Sequence, residues 1–426
     1  MTTDSTEAPY VEPEGAGRAG WHKEGEGEGQ ARSYYRRLAT PWETFVKSEG
    51  LPVFRGVGVR DTRDLPRADW PRIGGRGTYI QVIGTENKTG MFVVEVPARG
   101  ALHPQRQMYE ERYVVMEGRG SVEVWKNNDT ARTAFEYGPW SLFSIPMNAN
   151  FRIINSSSEP ALMIAVNTAP RTINAFDSME FVFNNQFNFE DRWGGNLEDF
   201  WESNEDMISQ PVRGRGMVKS NFIPDIATSY LPLDNNRGPG FRWIAPDQVG
   251  NRMIQGWVAE YPGGRYAKAH YHASGAVLVC LNGAGYSITW PREEGGVTPW
   301  KDGKGDLVQI QEYVPGGLIS AAPGPANWFH QHFAVSNGPF RVFNYTGTMP
   351  GNPESGRNRE LDDAEEGQMV KQHADITDGG NAIPYHMEDP YVRQMFAEKL
   401  KESGGTSTMP EEVYTEGGAS IEVMSD

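Results

Sequence analysis

The sequence predicts an all-β protein built from two copies of one strand-rich unit. Two observations carry this. Short apolar runs broken by Gly, Pro and Asn fill residues 75–170 and return over 250–348, and the centres of the two stretches align without a gap. Evenly spaced strands between turn residues mark a sandwich or barrel, and one repetition at this length means two similar domains rather than a solenoid.

The strands of the first copy are read in TYIQVIG (78–84), MFVVEVP (91–97), RYVVMEG (112–118), SVEVW (121–125) and ALMIAVN (161–167). Those of the second are MIQGWVAEYP (253–262), AVLVCLNG (276–283), YSITW (286–290), VQIQEYVP (308–315) and FRVFNYTG (340–347). Setting 111–125 against 276–290 places Gly118 on Gly283, Gly120 on Gly285 and Trp125 on Trp290. Each copy continues into a strand that ends at a proline, Pro146 or Pro323.

The remaining segments frame these copies. Residues 1–50 read as an arm, Gly- and Glu-rich around Glu24–Glu28, that closes with a short helix. Thr40-Pro41-Trp42-Glu43 has the form of a capping box with proline in the first turn, and the helix runs to about Lys47. The first barrel then spans 51–170, a linker with some helix 171–215, and the second barrel 216–349. An acidic arm covers 350–426, with a helix from Asp389-Pro390 to Lys401, and is expected to pack on a neighbour or stay loose.

Composition excludes several classes. The net charge of −16 disfavours a nucleic-acid backbone, which requires clustered Lys and Arg. The longest apolar runs, Ala161–Val166 and Ala276–Leu281, are strand-length and too short to cross a bilayer, so no membrane partner is expected. No basic start leads into an apolar run, so no signal peptide is expected. The single cysteine, Cys280, rules out an internal disulfide framework and suits a reducing compartment, which makes the cytoplasm the expected location. Edge strands and long arms point to a homo-oligomer.

Four of the eight histidines fall in two pairs, His270-Tyr271-His272 and His330-Gln331-His332. Residues i and i+2 of a strand share a face, so each pair aims both rings the same way. Two imidazoles from one strand and a third from a later strand form a three-nitrogen face around a metal, with positions left for substrate, water or O₂. Either His330 or His332 satisfies this as the third ligand.

The pattern of Gly264, His270-Tyr271-His272 and Gly283, followed by Gly317, Pro323 and a further histidine, resembles the cupin superfamily across both β regions, roughly half of the chain. The resemblance implies two tandem double-stranded β-helix (jelly-roll) barrels. The glutamate of the usual cupin motif falls on Ala276, and three histidines without a carboxylate resemble ring-cleaving dioxygenases of the gentisate and salicylate type. So does Trp328-Phe-His-Gln-His332. On that resemblance His270, His272 and His330 hold the metal, with Fe(II) foremost and Mn(II), Ni(II), Co(II) or Zn(II) as alternatives. His332 is then a second, substrate-facing histidine.

A three-histidine site keeps the full charge of its ion, which suits a small anionic chelating substrate such as an ortho-hydroxy carboxylate, alongside O₂. His332, whose ordinary pKa lies near neutrality, is a candidate acid or base. Arg341 and Tyr345 are candidates for binding the anion. The rival readings are a Lewis-acid lyase, hydrolase or isomerase on the same ion, and a non-catalytic ligand-binding protein.

In the first copy the histidine positions are Gln105-Arg106-Gln107, the acid is Glu111, and the third position, near Phe151, carries no ligand. No metal is expected there. Glu111 is a candidate partner for Arg152, and His103 is a lone histidine just upstream.

Overall fold

The computed structural model describes residues 39–193, 201, 207–209, 216–235, 237–248, 250–251, 253–272, 275–323, 327–346 and 374–418. The chain divides into the units Met1–Thr40 and Pro41–Asp426, and every described element lies in the second. The N-terminal arm through residue 38 and the acidic run Asp362–Glu366 lie outside the described residues.

The first half holds β1 (Val53–Gly56), β2 (Gly58–Val59), β3 (Ala68–Trp70), β4 (Gly75–Val82), β5 (Gly90–Val96), β6 (Glu111–Glu117), β7 (Gly120–Trp125), β8 (Thr133–Tyr137), β9 (Leu142–Ile145), β10 (Asn150–Asn155) and β11 (Ala161–Asn167). The second holds β12 (Met207–Ser209), β13 (Gly216–Lys219), β14 (Phe222–Ile223), β15 (Arg242–Asp247), β16 (Gln255–Tyr261), β17 (His270–His272), β18 (Ala276–Asn282), β19 (Gly285–Pro291), β20 (Gln309–Tyr313), β21 (Leu318–Ser320), β22 (Trp328–Ala334) and β23 (Phe340–Thr346). Helices are few: α1 (Pro41–Ser48), α2 (Ala169–Phe176), α3 (Met179–Asn184), α4 (Arg292–Gly295) and α5 (Pro390–Glu402). Both helices expected from the sequence are present, and Asp389 caps α5 by accepting from the Tyr391 amide. No helix among the described residues is long and apolar enough to cross a membrane.

Each half forms a large and a small sheet. In the first, β1-β4-β5-β11-β6-β9 faces β10-β7-β8; in the second, β12-β13-β15-β16-β23-β18-β21 faces β17-β22-β19-β20. The molecule is therefore all-β, two jelly-roll barrels in tandem, as the repeat implies. The aligned residues Glu111 and Ala276 both open the strand that leads into the small sheet, so the gap-free alignment is structural as well.

The barrels are not self-contained. After β1 pairs with its own sheet, β2 crosses to pair with β21 of the second barrel. After β13 pairs with β15, β14 crosses to pair with β9 of the first. The large sheets pack back to back through one layer that joins Val93, Val114 and Ile164 to Val258, Val279 and Phe343. Both faces of these sheets are thus covered, which explains why β11 and β18 read as unbroken apolar runs rather than alternating ones.

The C-terminal arm differs from expectation. Its described part, 374–418, packs on the outer face of its own small sheet, with Val392, Met395, Phe396 and Leu400 of α5 against Tyr266, Tyr286 and Phe333. That face is strongly apolar, so the nearest segment able to cover it does so.

Candidate metal centre

Two of the candidate ligands, His270 and His272, sit on β17, a three-residue strand held on both sides. Its one neighbour is β22, with His270 opposite His330. Its other is the segment 381–383, where Asn381 O accepts from the Tyr271 amide (3.1 Å) and the Ile383 amide donates to Ala269 O (2.7 Å). Lys268 adds an ion pair to Asp375 at 2.8 Å. The C-terminal arm therefore positions the strand that carries His270 and His272, a role with no signal in its sequence.

His270, His272 and His330 each offer a nitrogen within 4.8 Å of the others, a grouping able to hold a metal ion. His270 Nδ1 faces Lys268 O and His330 Nδ1 faces Trp328 O, both at 3.3 Å, while the two Nε2 atoms stand 3.0 Å apart. With each Nδ1 donating to its carbonyl, both Nε2 atoms are left as acceptors facing one another. A cation held between the two nitrogens would relieve that conflict, since neutral imidazoles are donors that divalent first-row ions accept. The donor set fits a divalent first-row ion. Burial pushes the pKa of His270 well down, helped by the positive charge of Arg237 and by the neighbouring imidazoles. His330 is pushed down by burial and then by His272, His332 and Arg237. Both rings are therefore neutral and ready to ligate at neutral pH.

His332 shares the face of His330, as strand alternation requires, with ring centres 5.4 Å apart. Its Nδ1 lies 2.6 Å from Ser287 Oγ, which lies 2.8 Å from the Tyr313 hydroxyl, all three residues being buried. A chain in which Tyr313 donates to Ser287 and Ser287 to Nδ1 leaves the His332 proton on Nε2. Burial lowers the His332 pKa to about 3, with His272 and Arg237 contributing, so the ring is neutral.

Ala276 is buried and faces the interior, as do Leu278 and Val342. Arg341 and Tyr345 are not brought to the histidines. They occupy the opposite face of β23: Tyr345 packs in the layer between the barrels, and Arg341 is bound to Glu260 at 2.6 Å and to the carbonyls of Ile226 and Ser229. Their shared parity is as read, but it is the parity of Phe343, while Phe340 and Val342 take the inner face.

In the first barrel Gln105 bridges Phe151 as His270 pairs with His330, so Phe151 stands at the third-ligand position. It is fully buried among Tyr113, Phe143 and Ile153. Glu111 is buried and accepts from Gln107 (3.1 Å), Tyr113 (2.5 Å) and Asn167 (2.9 Å). Arg152 is not its partner: it pairs with Glu123 at 2.9 Å across β10 and β7, because its position in β10 points outward. His103 is exposed on the surface, with Nδ1 3.4 Å from Arg72 O.

Sequence reading missed Arg237, in the loop before β15, and the Ser287–Tyr313 pair. Nothing ties Arg237 to the histidines by spacing. Ser287 did carry a signal, since it aligns with Val122: a polar residue replaces an apolar one at an inward position of a duplicated strand.

No family model matches the chain, and no curated protein matches it. Solved structures of similar fold include Bacillus subtilis oxalate decarboxylase at pH 4.6, at 11% identity and a TM-score of 0.42, covering 68% of this chain and 75% of that one. A tryptophan-to-tyrosine variant of the same enzyme matches at 12% identity and a TM-score of 0.42, covering 68% of this chain and 76% of that one. A structure from a study of the Mn(II) centres of that enzyme matches at 11% identity, with the same TM-score and the same coverage as the variant.

Proposed function

We propose that the chain is a metal-dependent enzyme that converts a small carboxylate anion inside its C-terminal barrel. The supporting observation is the two Nε2 atoms of His270 and His330 facing each other at 3.0 Å with His272 beside them. When bound, the ion supplies Lewis acidity, undiminished by any charged ligand. Arg237 adds positive charge that favours an anion, and His332, held by Ser287, offers an Nε2–H donor to a substrate oxygen. The apolar cluster of the barrel interior reaches His332 through Tyr261, whose ring centre lies 6.0 Å from the imidazole.

These parts serve a non-redox reaction such as a decarboxylation, and a lyase is the first reading. A dioxygenase, with Fe(II) and O₂, is the second, favoured by Ala276 in place of a carboxylate ligand. The test is elemental analysis of the wild type beside His270→Ala and Gln107→Ala. About one first-row ion per chain is expected in the wild type and Gln107→Ala, falling at least about tenfold in His270→Ala. O₂ uptake with aliphatic dicarboxylates and hydroxybenzoates then separates the two classes. A wild type that takes up no metal would end both.

A further inference from the structure

The layer between the barrels contains a buried cation whose neighbouring carboxylates, Glu110 and Asp247, act on it only through space and not in ion-pair contact. Arg112 lies in β6 on the face shared with Val114 and Met116, directed at the second barrel, and is 2% exposed. Its Nη2 donates to Ile254 O at 2.7 Å, while Nε and Nη1 have no partner. The nearby carboxylate of Glu110 is engaged by Arg192 and by the amides of Met253 and Ile254. Among the described residues no carboxylate lies within ion-pair distance of Arg112. Burial lowers the guanidinium pKa to about 10, against Tyr345, Glu110 and Asp247, which raise it, so it stays charged at neutral pH. A buried charge with one neutral acceptor is costly, and such a group calls for a bound ion or ordered water.

The surroundings supply further donors. Ser144 sits directly across from Arg112 in the β6–β9 register, on the same face, and its hydroxyl has no partner. From the other barrel comes the phenol of Tyr345, also fully buried; the Thr89 hydroxyl donates to its oxygen, which leaves the phenol O–H itself free to donate. At the equivalent position of the second barrel stands Val277, so the charge belongs to one side of the layer alone.

We propose that the seam between the barrels holds one small monovalent anion of halide size, bound by Nε and Nη1 of Arg112 with the hydroxyls of Ser144 and Tyr345. The small size follows from burial, since none of these side chains opens to solvent. The ion neutralises Arg112 and ties β6 of one barrel to β23 of the other, independently of the histidine centre.

The test uses the full chain exchanged into sodium gluconate, whose anion is too large for the seam, then titrated with bromide at constant ionic strength. A saturable rise in Tm is expected, with an anomalous bromine peak in contact with Arg112 in crystals grown in bromide. Tyr345→Phe and Ser144→Ala should each shift the bromide midpoint upward by about fivefold, the worth of one hydrogen bond. Arg112→Met should abolish the response. Identical Tm values in bromide and gluconate, or water in place of the anomalous peak, would overturn the proposal. So would a midpoint unmoved in Tyr345→Phe, a variant that keeps the ring and its packing.

Discussion

The two barrels share strand order and register yet have opposite interiors. Where the first presents Phe151 and Ile153 toward Val124 and Val122, the second presents His330 and His332 toward Thr289 and Ser287. Gln105 and Gln107 answer to His270 and His272, and Glu111 answers to Ala276. Side chains alone thus turn one backbone plan into a packed core and a polar centre. The difference teaches that tight packing and a cluster of possible metal donors have been separated between the copies, since a core filled by aromatic rings leaves no room for a ligand, and a cluster of neutral imidazoles contributes little to packing.

That separation is open to three tests. The largest effect is expected at the shared third-ligand position. Phe151→Ala should destabilise the first barrel by about 3–5 kcal/mol by opening a cavity among Tyr113, Phe143 and Ile153, whereas His330→Ala in metal-free protein should cost much less. Denaturant unfolding of both variants decides this, and equal losses would mean that the second interior is packed as tightly as the first.

Next in size is a pH effect peculiar to the buried acid. Burial raises the Glu111 pKa from 4.5 to about 7, against hydrogen bonds from Tyr113, Asn167 and Gln107 that lower it. The folded chain therefore holds this proton more tightly than the unfolded one. The resulting stability is fully present below pH 4.5 and is lost as pH rises through 7, a change of about 3 kcal/mol. Glu388, a residue of the C-terminal arm raised to about 7 chiefly by its burial against Tyr266 and Gln331, contributes with the same sign. Glu111→Gln should flatten the part of the stability profile between pH 5 and 8 that belongs to the first barrel. A profile unchanged by that substitution would assign the whole slope to Glu388 and the second.

The smallest effect concerns His332, which lies outside the grouping of His270, His272 and His330. Ser287→Ala removes the 2.6 Å bond to His332 Nδ1 and frees the ring to adopt either tautomer. Metal content should stay at the wild-type level while turnover falls about tenfold. Loss of metal instead would show that His332 acts on the ion itself.

Much of this is legible in the sequence. The glycines and tryptophans fixed the duplication, and period-two spacing put His270 with His272 and His330 with His332. Parity failed for Arg341 and Tyr345 because alternation says which residues share a face, not which face is inside; both faces of β23 are buried, so hydrophobicity could not choose between them. Arg152 failed for a related reason, since an alignment names an equivalent position without its direction. Arg237 and the segment 381–383 reach the centre through contacts distant in sequence, for which no local pattern exists.

The crossing strands β2 and β14 have a consequence for how the chain comes into being. A ribosome delivers the first barrel long before the second, so the edge at β9 is bare until Phe222 and Ile223 arrive, and Gly58 and Val59 wait for a partner some 260 residues downstream. Contacts of such separation form late and slowly, and bare strand edges invite pairing with other chains. Either half expressed alone would keep an open edge and lose the apolar layer at its back. The two barrels are copies in sequence but a single cooperative object in folding.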